Sequence, residues 1–356
     1  MPTSLDTILK EIKPLDSSAM TVAQRRQNSL TKPHGSLGRL EELSIQIAGI
    51  KGQATPKLEH KSIITMVADH GVVAETVSLY PQEVTRQMVL NFLKGSAALN
   101  VLATQISARV VVIDMGVIGG FPPLPGLLCK MIDSGTKNIT QGPAMTRQQA
   151  IDSIEAGIQV VEAELGKRLD IIGTGDMGIG NTTASSAVFA AISGRPPKKI
   201  TGRGTGIGDR QLAHKIKVIE RALSTNKPNP KDPIDVLSKV GGFEIGGLAG
   251  VMLAGAAYRI PVVIDGFVSG AAALIATGLS PQAKDYLIAA HLSAEAGHEL
   301  MLQFLGLKPL LNLNMRLGEG TGAALGIFLA EAAVRTLSQM ATFAEAGVSE
   351  AKLLEP

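Results

Sequence analysis

The chain has no tryptophan, and aromatics make up only 3% of it. Stacking platforms for single-stranded nucleic acid are therefore scarce. Its 34 basic and 31 acidic residues leave a net charge of +3 with no concentrated basic face. That balance excludes the electrostatic footprint of a nucleic-acid binder. A single cysteine, Cys129, rules out a disulfide framework and a cysteine-built metal site, and it reads as a small buried or half-buried apolar residue. The longest apolar stretch, 248–257, is too short and too rich in glycine to span a bilayer. The N-terminus mixes acids and bases without the apolar core of a signal peptide, so a cytoplasmic protein is expected.

What the chain does have is apolar mass and glycine. Of 356 residues, 45% are hydrophobic and 18% charged, enough for a large core built from Ala, Leu, Ile, Val and Met. Short β-branched runs at 62–67, 109–114, 170–173, 262–265 and 286–290, with a further candidate at 310–315, read as strands. Several are apolar throughout, as parallel strands covered on both faces require. Between them, segments 82–105, 146–165, 181–193, 211–224, 244–258 and 270–277 carry apolar residues at helical spacing. The alternation predicts an α/β fold: an open parallel, Rossmann-like sheet with helices on both faces. Residues 1–51 and 321–354 carry helical patterns only. This predicts a large domain over 52–320 and a small helical domain built from both chain ends, 1–51 with 321–356. The proline-rich stretch 226–233 reads as a loop.

The chemistry-bearing residues cluster just after strands. Asp69-His70-Gly71 follows the first, a glycine-rich run from Gly173 to Thr183 the third, and Asp265-Gly266-Phe267 the fourth. Open α/β sheets bind ligands at these carboxyl ends, so one shared site is expected. Gly173–Gly178 fits the dinucleotide glycine pattern. The acidic residue required about 20 positions later is missing, so a nicotinamide dinucleotide is rejected as ligand. The turn that opens the helix at Asn181 and Thr182 is suited to a phosphate, or is a simple tight turn capped by Asn181. A second glycine loop, 201–208, precedes a helix carrying His214, Lys215 and Lys217, and together they suggest a phosphorylated ligand. Neither loop is a Walker loop, and no G-x-S-x-G nucleophile elbow is present. Asp69-His70 is a candidate acid/base pair; no metal-like spacing surrounds it. His291 and His298 read as structural. Glu319, set among Gly318, Gly320 and Gly322 before a helical run, is either an N-terminal helix charge or a positioned general base.

Several long motifs occur in order: Pro33-His34-Gly35-Ser36-Leu37-Gly38-Arg39-Leu40-Glu41, Ala68-Asp69-His70-Gly71-Val72, the run 173–183, the segment 235–244, Asp265-Gly266-Phe267, and Met315-Arg316-Leu317-Gly318-Glu319-Gly320. Together they resemble nicotinate-nucleotide–dimethylbenzimidazole phosphoribosyltransferases nearly end to end. The resemblance implies transfer of phosphoribose from nicotinate mononucleotide to 5,6-dimethylbenzimidazole. The products are α-ribazole 5′-phosphate, for the lower ligand of cobalamin, and nicotinate. It also implies a homodimer without metal or redox cofactor. Matched onto this sequence, Glu319 takes the role of general base, and Asp176 stabilises positive charge or orders the ribose. The phosphate and nucleotide pocket falls on Gly175, Gly178, Gly180, Asn181, Thr182, Gly202, Gly204 and Lys215. The base pocket falls on Tyr80, Gln87, Met88 and Leu317. Tyr80 and Met88 stand where some relatives carry Ser and Gln, a larger and more apolar wall suited to flat aromatic bases. Two other readings stay open: a related transferase with another acceptor, such as adenine, another benzimidazole or a phenol, and a catalytically silent nucleotide-binding protein, against which the intact Glu319 counts.

Overall fold

A computed structural model describes residues 3–349. Its centre is a six-stranded sheet: β1 (Lys61–Ala68), β2 (Arg109–Gly116), β3 (Leu127–Cys129), β4 (Ile171–Met177), β5 (Val262–Ile264) and β6 (Leu287–Ala289). The order is β3-β2-β1-β4-β5-β6, and every pairing is parallel. This is the expected open α/β sheet. β1 is buried along its whole length, which explains its unbroken apolar run. Successive residues serve opposite faces: Ile63 joins one hydrophobic cluster and Ile64 the other.

On one face lie the helices Arg147–Leu165 and Phe243–Ala257, which cross at very short range. A Cβ on Gly157 would sit 1.9 Å from the Gly247 carbonyl oxygen, and one on Gly250 would sit 1.9 Å from that of Ile154. Only glycine permits this approach. On the other face, Ala323 and Ile327 of the helix Thr321–Gln339 share a cluster with Leu43 and Ile47 of the helix Arg39–Lys51 and with Ile63, Ile171 and Val263 of the strands. Arg26, on the helix Ser17–Ser29, donates to the carbonyl of Leu337, tying the two ends of the chain together. The first helix, Leu5–Glu11, packs instead with the opposite cluster, through Leu5 and Ile8.

Four expectations need correction. Residues 82–105 form two helices, Glu83–Leu93 and Ala98–Gln105, because Gly95 takes a left-handed φ of 76° between them. The stretch 310–315 is no strand. It runs beside the segment after β6, with one bridge from Leu311 to His291, and Asn314 at φ 55° interrupts its extension. β3 and the helices Pro233–Val240 and His298–Leu305 are additions to the expected elements. Cys129 is exposed, because the strand that carries it is the edge of the sheet. Residues 227–232 are a connection; Asn226 ends the helix Asp209–Asn226, and Asp232 caps a helix that begins at Pro233, where a missing N–H costs nothing. The last part of the predicted C-terminal helical stretch, from 350 onward, lies outside the described residues. Among those residues no helix is long and apolar enough to cross a membrane.

Candidate active site

β1 and β4 are adjacent, yet the chain leaves them toward opposite edges of the sheet. A crevice must open at the carboxyl ends of such a pair. There the structure has a cavity of about 650 Å³. Ten of the sequence-derived residues line it: Asp176, Gly178, Gly180, Asn181, Thr182, Gly204 and Glu319, with Tyr80, Met88 and Leu317 at the more apolar side. Tyr80 and Leu317 are more than half exposed, so they form the rim.

Glu319 is only 6% exposed, and its Oε2 has no hydrogen-bond partner among the described residues. Three consecutive residues, Gly318, Glu319 and Gly320, have φ of 83°, 66° and 104°. A non-glycine residue in that region costs on the order of 1 kcal/mol, so surrounding contacts must hold it there. They are specific. The Glu319 N–H donates to the Asp176 carbonyl (3.2 Å), and the Thr65 hydroxyl on β1 donates to the Glu319 carbonyl (3.2 Å). The Gly320 N–H donates to Asp265 Oδ2 (3.1 Å). Burial raises the Glu319 carboxyl from 4.5 to about 7.

Asp265 sits at the end of β5 and also accepts from the Ala323 N–H (3.0 Å), so it caps the helix Thr321–Gln339 from a distant part of the chain. Burial pushes its carboxyl to about 7 against those hydrogen bonds. Asp176, at the end of β4, accepts from the Asn181 side-chain amide (2.9 Å). Burial first, then the nearby Asp265 and Glu244, hold it well above the usual carboxylate range. Behind it His70 pairs with Glu244 at 2.8 Å, both fully buried, so His70 has a structural charge partner and lies outside the cavity lining. Asp69 accepts from the Ile118 N–H (2.8 Å) rather than serving as an acid/base partner of His70.

Four sequence-derived residues are not in the cavity wall. Lys215, 1% exposed, lies just beneath it. Its Nζ donates to the Thr182 hydroxyl (2.8 Å), and a Cβ on Gly204 would be 3.2 Å from it. Burial lowers its ammonium from 10.5 to about 8. Gly175 faces the Glu319 peptide: a Cβ there would lie 2.2 Å from the Glu319 carbonyl oxygen. Gly202 packs against Glu295 in the same manner, with Oε2 1.8 Å from where its Cβ would be. Gln87 is exposed on the outer side of its helix.

The lining also contains Phe267, from the Asp265-Gly266-Phe267 motif, and residues to which sequence reasoning gave no role in the site: His291, Ser293, Glu295 and Arg316. His291 follows β6 as Asp176 ends β4, so the strand-end rule applied to every strand would have found it. Arg316 donates to the Gly204 carbonyl (2.7 Å) and ties the second glycine loop to the segment carrying Glu319. Nothing local in the sequence announces that contact. Among the described residues no group of three or more His, Cys, Asp or Glu side chains is placed to hold a metal ion.

A cavity at the switch point, a glycine turn opening a helix and a strained carboxylate all occur in unrelated enzymes. Likeness over the whole chain decides among them. A family model described as phosphoribosyltransferase matches residues 12–348. Nicotinate-nucleotide–dimethylbenzimidazole phosphoribosyltransferase of Desulforudis audaxviator is 58% identical over 97% of this chain and 98% of its own length. That of Chloroflexus aggregans is 58% identical over 98% and 99%. The chain belongs to this phosphoribosyltransferase family. A crystal structure of the nicotinate-nucleotide–dimethylbenzimidazole phosphoribosyltransferase of Thermus thermophilus superposes with a TM-score of 0.90 at 45% identity, covering 95% of this chain and all of the other. A structure of CobT from the same organism gives 0.91 at 46% identity, covering 94% of this chain and all of the other. At that coverage the fold described above is shared with both solved relatives.

Proposed function

We propose that this cavity transfers the phosphoribosyl group of nicotinate mononucleotide to 5,6-dimethylbenzimidazole, giving α-ribazole 5′-phosphate and nicotinate for the lower ligand of cobalamin. The single observation that carries the mechanism is Glu319: a buried carboxyl in the wall of the cavity, one oxygen without a partner, held near neutrality by burial. A base poised near 7 accepts a proton most effectively at ordinary pH.

The nucleotide's phosphate lies at the helix start on Asn181 and Thr182. The Thr182 N–H, the one at this helix start without a backbone acceptor among the described residues, and the helix dipole favour an anion there, and Lys215 supports Thr182 from below. The acceptor lies against Tyr80, Met88 and Leu317. Its unprotonated ring nitrogen attacks C1 of the ribose from the face opposite nicotinate. The C1–N bond to nicotinate breaks, and its electron pair neutralises the pyridinium, so the leaving group needs no acid. The configuration at C1 inverts from β to α. Glu319 takes the N–H proton of the benzimidazolium that forms. Asp176, in the cavity wall, offsets the positive charge of the oxocarbenium-like transition state once it is ionised. The enzyme is read as a cytoplasmic homodimer; sedimentation of the purified protein as a monomer at micromolar concentration would refute the dimer.

The reaction is tested by chromatography with mass detection after incubation with both substrates. Equimolar α-ribazole 5′-phosphate and nicotinate are expected. Folded protein that binds the nucleotide and forms no product would overturn the assignment.

A further inference from the structure

The back of the cavity carries more negative charge than its surroundings balance. Asp176, Asp265 and Glu319 converge from β4, β5 and the segment before the C-terminal helix, with Glu244 behind them. Among the described residues, neither Asp176 nor Glu319 pairs with a cation, and the cation nearest Asp265 is His291 at 3.8 Å, whose ring burial keeps neutral. The charges around them are committed elsewhere. His70 is bound to Glu244, Lys215 donates to Thr182, and Arg316 donates to Gly204 at the rim. Buried oxygens of Glu244, Glu295 and Glu319 lack a hydrogen-bond partner among the described residues. Buried charges of one sign at close range cannot all remain ionised in the empty cavity.

We propose that this acidic wall is the subsite for the positive charge of an N-ribosylpyridinium ring, and that Asp176 releases a proton to solvent when such a ring enters. The exchange forms no covalent bond. A neutral carboxylic acid becomes a carboxylate, the ring cation becomes its counter-charge, and one proton leaves. Asp176 is the group best placed for it. Among the described residues its only hydrogen-bonded side chain is the Asn181 amide, and burial together with Asp265, Glu244 and Glu319 favours its neutral form. Selectivity follows. A nucleotide with an uncharged ring brings nothing to offset an ionised Asp176, so the wall distinguishes pyridinium nucleotides from otherwise similar ones by charge rather than shape.

This inference rests on the cavity being the nicotinate mononucleotide site, and the test separates the two. Calorimetric titration in two buffers of different ionisation heat counts protons released per nucleotide bound. The probes are nicotinate mononucleotide and its 1,4-dihydro form, which keeps the phosphate and ribose but has an uncharged ring. Linked protons on the phosphate and on Lys215 are common to both and cancel in the difference. Near neutral pH the cationic nucleotide should release more protons than the dihydro form, and its affinity should rise with pH while that of the dihydro form does not. In Asp176→Asn the difference should vanish. Equal proton counts for the two nucleotides in the unaltered enzyme would overturn the proposal, as would a difference that survives in Asp176→Asn. If neither nucleotide binds, the proposed function falls with it.

Discussion

Ionising Glu319 where it stands costs the folded enzyme stability, and that cost can be measured. Burial raises its carboxyl from 4.5 to about 7, so the native state holds this proton more tightly than the unfolded chain does. The penalty is absent below about pH 4.5, grows as pH rises, and is complete above about 7, where it amounts to ~3 kcal/mol. Glutamine at this position carries no charge at any pH, but it leaves a buried amide with its own unmet hydrogen bonds. We therefore expect Glu319→Gln to be more stable than the parent by about 1–3 kcal/mol at pH 8 and indistinguishable near pH 5. For a chain of this size that is an increase of a few degrees in melting temperature, roughly 1–3 °C per kcal/mol. Turnover should move the other way. Loss of a general base costs about 10²–10⁴ in rate, with nucleotide binding nearly intact. Thermal melts at several pH values, paired with rates at saturating substrate, test both. A variant no more stable than the parent at pH 8, or a stability difference that does not grow from pH 5 to pH 8, would refute the argument from burial. Near-normal turnover in the folded variant would refute the role of base.

Three further outcomes follow from the same geometry. In the parent enzyme, kcat should fall as pH drops through about 7, because protonated Glu319 accepts nothing; a rate level down to about pH 5 would contradict this. Gly175→Ala would place a methyl group 2.2 Å from the Glu319 carbonyl oxygen. It should lower kcat by at least about tenfold and stability by ~1–3 kcal/mol, read by kinetics and melting. Lys215→Ala should raise KM for nicotinate mononucleotide by at least about tenfold with a smaller change in kcat, since it removes a cation that supports Thr182; an unchanged KM would argue against the phosphate site.

Patterns confined to a few residues were readable in the sequence, and contacts across the chain were not. β1, β2, β4, β5 and β6 announced themselves as apolar runs because each is buried on both faces. β3, three residues at the open edge among prolines and glycines, has no such pattern. Asp176 took its role from the family resemblance, within a glycine-rich run that stood out by its place after a strand; His291 also follows a strand, but its histidine read as structural. The family resemblance placed Gly175 and Gly202 in the phosphate pocket. In the fold each also admits a neighbour, the Glu319 peptide in one case and the Glu295 carboxylate in the other. Thr65 gave no sign of its importance, because the peptide it holds is 254 residues away.

That separation has a consequence for how the enzyme comes into being. Every strand of the sheet precedes Glu319 in the chain, so most of the core is available to a growing polypeptide while the residue that completes the site is still being synthesised. Thr65, Asp176 and Asp265 wait on a segment close to the end of the sequence. Closing so long a loop is entropically slow, and docking of the helix Thr321–Gln339 is what fixes the Glu319 peptide. A chain that has not yet reached Glu319 therefore lacks the carboxyl around which the cavity is built, and the site is complete only once the helix Thr321–Gln339 docks against the sheet.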